Sequence, residues 1–438
     1  MTPHTSAPGL APHALPGPAG TAAGQAMPPL DAWLFRHQSS GAMCMTDGVM
    51  AWFEGSPPTP AGLRERVRER WGAYERLRLT PDVAASGPRA WPRWTTGPGF
   101  AVEHHVVEGS GSTNASAEAV VGQLLAQPLG PARPPWQLRL LPADDGFALL
   151  LRAHHALLDG GSLIALLRAL LDAPAALPGP RARRSPAPPP AGPARPPRLA
   201  GMLADLVPRA RPLPFHGAVD ARRVVSFRRL TVAEVNGARD ALPSGRASAN
   251  AVFLAAAAGA LRATGAVGRM LLPGGVCAMV PVDVRGEDEA AVLGNRYATV
   301  RVPLPLGGGP LRRLAAVDAF TRRAALKERA RAQARLVASR PRRHGLLGDM
   351  LGRYADSPFY SSLLCSSGAT HAGRLMLGSA SLTGLAGLPP LSPGHPLAVT
   401  MFTHDANAVV TVVTDHGHRD LAEEMSSAIR AEILAMRL

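Results

Sequence analysis

His154-His155-Ala156-Leu157-Leu158-Asp159-Gly160 is the stretch whose reading decides this chain. A largely apolar run, Phe147 to Ala153, precedes it, and a helix-like run, Ser162 to Leu171, follows it. The heptapeptide therefore stands at a strand-to-helix turn, where a buried scaffold fixes polar groups and leaves one side open. Two readings compete. In one, both histidines are satisfied core groups and Asp159 is only a helix N-cap. In the other, the cluster is catalytic. The close grouping of two histidines, an acid and a glycine favours the second. Neighbouring residues on an extended turn face opposite ways, so only one of the two rings can enter a site.

Working outward, composition sets the class. A chain of 438 residues is long for one core, so two domains are expected. Hydrophobic residues make up 46%, enough for packed interiors. The formal charge of +15 is carried almost wholly by arginine, with Lys327 the single lysine, so part of it is compositional. The remainder suits a solvated basic surface, an anionic membrane surface or the phosphates of coenzyme A. Nucleic-acid binding is disfavoured, because basic and aromatic residues do not interleave. Cys44, Cys277 and Cys365 are scattered, with neither a disulfide framework nor metal-ligand spacing, and read as buried thiols. No segment has the apolar length of a spanning helix, and the start lacks a basic-then-apolar leader. These features point to a cytoplasmic enzyme, with peripheral contact at the inner face of a membrane as a further expectation.

Along the chain, residues 1–27 are rich in Ala, Pro and Gly and read as disordered. Asp47 to Glu54 reads as a strand. Thr59-Pro60 opens a helix whose stripe of Leu63, Val67, Trp71 and Tyr74 is core. Phe100 to Val107 alternates, which would send His104 and His105 to opposite faces in structural roles. Pro174 to about Pro197 cannot form a helix or sheet interior and reads as a connection. Thr231 to Glu234 is a capping-box start, and Ser248 opens an alanine-rich helix. Leu311 to Val337 reads as one long basic helix, solvated on its charged face or touching a membrane. Leu397–Phe402 and Ala408–Thr414 form a hairpin, and Leu421 to Leu438 a closing amphipathic helix.

The central run matches HHxxxDG, and so resembles the CoA-dependent acyltransferase superfamily, which includes chloramphenicol acetyltransferase and nonribosomal peptide condensation domains. From about Pro29 onward the chain is similar to the bacterial wax ester synthase/diacylglycerol acyltransferase family. Pro29-Leu-Asp31 resembles its PLD opening, and Arg133-Pro-Pro-Trp136 its PLDRSRPLW segment, with Pro135 where leucine is usual. Ala278–Arg285 with Leu293–Tyr297 resembles its PVSVR and LGNR block. Asn250 matches its ND motif, although Ala251 replaces the acid, and Cys365-Ser-Ser-Gly368 stands where the family has SNVPGP.

The resemblance implies a two-domain, chloramphenicol acetyltransferase-like α/β fold with an interdomain tunnel. Residues 28–173 and 222–438 would be the domains, and 174–221 the linker. It makes His155 the general base and His154 the residue that holds the turn. It makes Asp159 a structural acid facing an arginine of the other half, for which Arg285 is the candidate. Gly160 would let the backbone pass close to substrate and offer an N–H to an oxyanion. Trp136 would pack beneath the turn, and Asn250 would support the site. Acyl-CoA enters as substrate, with no bound cofactor and no metal. The implied function is an O-acyltransferase acting on a long-chain alcohol or diacylglycerol, with peripheral membrane or lipid-droplet contact. The alternatives are a condensing enzyme of secondary metabolism acting on another hydroxyl or amine, and a non-catalytic lipid-binding protein. Intact His154, His155, Asp159 and Gly160 argue against the last.

Overall fold

The computed structural model describes residues 24–39, 43–82, 90–96, 101–109, 116–143, 146–172, 210–268, 275–286, 289–370 and 373–437. The expected disorder of residues 1–27 lies outside these except for its last four positions. The proline-rich connection lies outside them as well, as does Leu199–Val207, a run that reads as a short helix in the sequence.

The strand Gly146–His154 runs through the middle of a six-stranded sheet. The sheet's order is Met376–Leu377, Ala380–Leu388, Thr46–Glu54, Gly146–His154, Trp136–Ala143, Val106–Glu108. Its near-continuous apolar sequence is explained by burial on both faces. Phe147, Leu149, Leu151 and Ala153 enter a core shared with the helices Pro60–Trp71 and Gly160–Leu170. Ala148 and Leu150 point the other way, into a cluster with Val225, Ala398, Val409 and Val413 of a second sheet. That second sheet is also six-stranded, ordered Tyr297–Pro303, Cys277–Asp283, Leu363–Thr370, Leu397–His404, Asn407–Asp415, Arg223–Thr231. Its far side is covered by the helices Ala249–Ala263, Pro310–Arg323 and Arg419–Ala435. The alanine-rich helix packs closely: a Cβ at Gly259 would lie 2.2 Å from Glu432 of the closing helix.

Each half reaches into the other. Ala380–Leu388 leaves the second half of the chain and pairs antiparallel with Thr46–Glu54. Division of the chain by order carries no hint of this. In return the helix Ala117–Ala126 lies against Arg223–Thr231, with Gly122 so near that a Cβ would meet the Arg223 carbonyl at 2.5 Å.

Local rules account for most element starts. Thr59, Ser116 and Ser248 each accept a backbone N–H as N-cap, and Thr231 with Glu234 closes a capping box. Two expectations fail. Leu311 to Val337 is two helices, Pro310–Arg323 and Leu326–Ala338, because Ala325 turns left-handed at φ 45° and breaks the ladder. The alternation around His104 is a 3-10 turn, Val102–His104, ahead of a strand of only Val106–Glu108. There His105 stacks on Trp136 at 4.2 Å, so the pattern reflected one buried ring and not a strand face. No described helix is long and apolar enough to cross a membrane.

The closeness at Gly122 makes a test. Gly122→Ala should lower stability by about 1–3 kcal/mol through overpacking against backbone. Gly130→Ala, with nothing within 4 Å, should leave the thermal midpoint almost unchanged.

Candidate active site

The turn begins where Gly146–His154 ends. The backbone N–H of His154 bonds to the Pro135 carbonyl (2.9 Å) and that of His155 to Met45 (2.7 Å), so the strands on either side clamp it. The two rings then part. His154 is 3% exposed, takes the Ala156 N–H on Nδ1 (3.0 Å) and tilts against Phe35. Burial, with His155 adjacent, pushes its pKa down to about 3, so it is a neutral core group. Trp136 lies beneath the turn, paired with Ala153, and donates its indole N–H to Leu77 (2.9 Å).

His155 is less buried, with 14% of its side chain exposed. Its Nδ1 meets the Leu158 carbonyl at 3.2 Å and an Asp47 carboxylate oxygen at 3.5 Å. Two acceptors on that side place the ring proton on Nδ1 and leave Nε2 as the basic nitrogen. Nε2 lies 3.2 Å from the Tyr297 hydroxyl, and the two rings are parallel within 4° at 5.5 Å. Burial raises the pKa of the Tyr297 phenol, so it stays protonated and can donate. Asp47 is itself buried, which pushes its pKa up to about 6, against the pull of His155.

Asp159 turns away from this ring. It caps the helix Gly160–Leu170 through Ser162 (N–H and hydroxyl, both 2.7 Å) and takes a forked pair of bonds from Arg285 at 2.9 and 3.1 Å. The capping and salt-bridge readings of this acid are therefore both true. Arg285 adds bonds to the Ser162 hydroxyl and to the Gly294 and Val292 carbonyls, and the Arg296 N–H closes the ring on Asp159. Both side chains are about 95% buried. Gly294 holds φ +117°, open to glycine, and its N–H reaches the Ser162 hydroxyl.

Within the protein, the close packing at this pair of glycines falls on Gly161. A Cβ at Gly161 would lie 2.7 Å from Arg285, whereas at Gly160 it would meet only Asp47, at 4.0 Å. Gly160 therefore fronts the open side beside Asp47. Asn250 is not in contact with the histidine turn. It sits in the first turn of its helix and accepts the Ser367 hydroxyl at 3.0 Å.

Three further residues support the turn. Asp31 binds Arg76 (2.5 Å) and Asn295 (2.9 Å). Arg76 and Asn295 in turn donate to the carbonyls of His155, Ala156 and Leu157, suspending the turn. Asp47 and the backing role of Tyr297 had no signal in spacing: Asp47 reaches His155 through sheet pairing and Tyr297 from an edge strand of the second sheet, neither through sequence proximity. Thr46 pairs with His154, which sets Asp47 beside the turn.

A family model described as the wax ester synthase/diacylglycerol acyltransferase catalytic domain matches residues 27–270. A Mycobacterium tuberculosis protein named as a probable diacylglycerol O-acyltransferase, and a Mycobacterium bovis counterpart, are 30% identical to it. The chain spans 28% of the length of these curated relatives it matches, by 28% of its own. Among solved structures it is similar to the wax ester synthase/diacylglycerol acyltransferase of Marinobacter aquaeolei VT8, with a TM-score of 0.66 at 16% identity over 93% of this chain and 98% of that one. It is also similar to the first condensation domain of the CDA synthetase, with a TM-score of 0.61 at 16% identity over 95% and 97%. These likenesses establish the two-domain chloramphenicol acetyltransferase-like fold expected from the motif.

Two outcomes test the geometry. Arg285→Ala leaves Asp159 buried and uncompensated and should cost about 3–5 kcal/mol in chemical unfolding, with Arg285→Lys between it and wild type. Asp47 carries a raised pKa, so its stabilising contribution is full below about pH 4 and is lost as pH rises through about 6. Relative to Asp47→Asn, the wild type should lose roughly 2–3 kcal/mol across that window, measured by unfolding at successive pH values.

Proposed function

This chain belongs to the wax ester synthase/diacylglycerol acyltransferase family, and on that footing we propose that it transfers a fatty acyl group from acyl-CoA to a long-chain alcohol or diacylglycerol, with His155 as general base. The observation that carries the reading is the His155 ring, backed on Nδ1 by Leu158 and Asp47 and turned with Nε2 toward a hydroxyl. An acceptor hydroxyl takes the place beside Nε2 that Tyr297 holds. Its proton passes to Nε2 as its oxygen bonds to the thioester carbon. The Asp47 carboxylate steadies the imidazolium. Collapse of the adduct breaks the carbon–sulfur bond, and the departing thiolate recovers the proton, giving ester and free coenzyme A. A thioester is already activated, so no acyl-enzyme is required. Gly160, first in its helix, lends its N–H and the positive helix end to the developing oxyanion.

In this reading donor and acceptor meet at His155 in a passage between the two sheets. Acyl-CoA is the donor and no resident cofactor takes part. Substrates of this kind partition into lipid, so peripheral contact with the inner face of a membrane or with a lipid droplet goes with it.

A second reading concerns the acceptor. Asn250, beside the departure at Ala251, and Ser367, in the run that departs from SNVPGP, meet in one hydrogen bond. A condensing enzyme of secondary metabolism using the same base on an amine or another hydroxyl would accommodate that divergence.

His155→Ala should reduce thiol release from palmitoyl-CoA with hexadecanol or diacylglycerol by about 10²–10⁴-fold; undiminished turnover rules out this base. Asp47→Asn should lose about 10–100-fold and abolish the rise of wild-type activity through about pH 6. Turnover with amines or carrier-protein thioesters, and none with lipid hydroxyls, would select the second reading.

A further inference from the structure

Of the seven large hydrophobic side chains that stand exposed among the described residues, five fall between Leu336 and Phe359. Leu346 is 81% exposed and Met350 59%, with Leu351 and Phe359 beside them in sequence. Three of them lie on the helix Leu346–Ala355, whose other side meets the helix Pro29–Ser39. Asp349 binds Arg36 at 3.1 Å, Asp356 takes the Trp33 indole N–H at 2.9 Å and meets His37 at 3.0 Å, and Gly352 lies against the Trp33 ring. At 100° per residue, positions 349, 352 and 356 share one side of the helix, 350 and 351 fall on the opposite one, and 346 stands at the edge between them. The apolar face is thus turned outward by the packing.

Its surroundings are cationic. From Arg329 to Arg353 the chain carries seven arginines and one acid, Asp349, which is spent on Arg36. Arg335, Arg342, Arg343 and Arg353 are exposed. An outward apolar helix face rimmed by arginines matches an interface where acyl chains lie beneath anionic headgroups. A protein partner of the same charge sign is poorly served by that rim, and a second copy of this chain would bring a like-charged one.

The patch is also wired to the site. Trp33, Arg36 and His37, which hold this helix, lie on the helix Pro29–Ser39. The same helix carries Asp31, which through Asn295 and Arg76 holds the carbonyls of the histidine turn.

We propose that Leu346–Ala355, with its flanking arginines, is the surface by which this protein lies on an anionic phospholipid bilayer, bringing the histidine turn to acceptors dissolved there. This rests on the lipid-acceptor reading above and adds the segment that makes the contact. It is the helix after the basic Leu326–Ala338, and not that helix itself, that supplies the apolar face.

The test uses the full chain and sedimentation with phosphatidylcholine vesicles, with and without phosphatidylglycerol. Wild type should bind the vesicles containing phosphatidylglycerol. Leu346→Glu with Met350→Glu should weaken that binding by about tenfold or more, with unchanged circular dichroism and unchanged thiol release on a short-chain alcohol in solution. Arg342→Gln with Arg343→Gln should weaken binding to the anionic vesicles and leave that to phosphatidylcholine alone unaltered. Equal vesicle binding by wild type and the glutamate variant overturns the proposal. So does a wild-type dimer, seen by analytical ultracentrifugation, that the glutamate variant abolishes, since the face is then covered by a second copy. Absence of thiol release from wild type with every acceptor would defeat the acyltransferase reading and is a separate result from vesicle binding.

Discussion

A buried guanidinium–carboxylate fork, Arg285 on Asp159, is the constraint on which the rest of the site depends. Neither ion could be buried alone, because an unpaired charge at that depth costs several kcal/mol. Together they satisfy one another, and their remaining bonding capacity is taken by Ser162, Gly294, Val292 and the Arg296 N–H. The pair spans 126 positions of sequence and ties the first helical turn after the histidines to the loop between two strands of the second sheet. It thereby locks Gly160–Leu170 in place, and with it the geometry of the turn. Asp159 stays engaged in this way, which leaves the support of the basic ring to a different acid.

That division of labour runs through the whole turn. His154 and His155 are adjacent and chemically identical, yet one is sealed against Phe35 and held neutral by burial, while the other looks out between Asp47 and Tyr297. The strand geometry that forces successive side chains to opposite sides makes the difference. The struts are equally specialised. Arg76 and Asn295, both held by Asp31, donate to backbone carbonyls of the turn, so they fix its path without touching Nε2 of His155.

Much of this was legible in the chain. The apolar run before the histidines announces a doubly buried strand, and the caps at Thr59, Ser116, Thr231 and Ser248 announce helix starts, because both depend on residues near in sequence. Arg285 could be named as a partner for Asp159 because a known motif carried it. Asp47 could not, since only the pairing of Thr46 with His154 brings it to the ring. The break at Ala325 was hidden because alanine is the strongest helix former, and nothing near it in sequence marks a left-handed turn. The pattern around His104 misled because a short 3-10 turn and a buried imidazole imitate alternation. Gly160 and Gly161 are indistinguishable on paper; only the position of Arg285 tells them apart.

The strand Ala380–Leu388 carries a consequence for biosynthesis. Thr46–Glu54 finds its outer partner only in a segment more than three hundred positions later in the chain. Until the ribosome has delivered that segment, the nascent first half must keep an apolar strand edge free of other chains, the state most prone to aberrant pairing. Truncated products ending before residue 380 would therefore retain an open edge, whatever helices they had already formed.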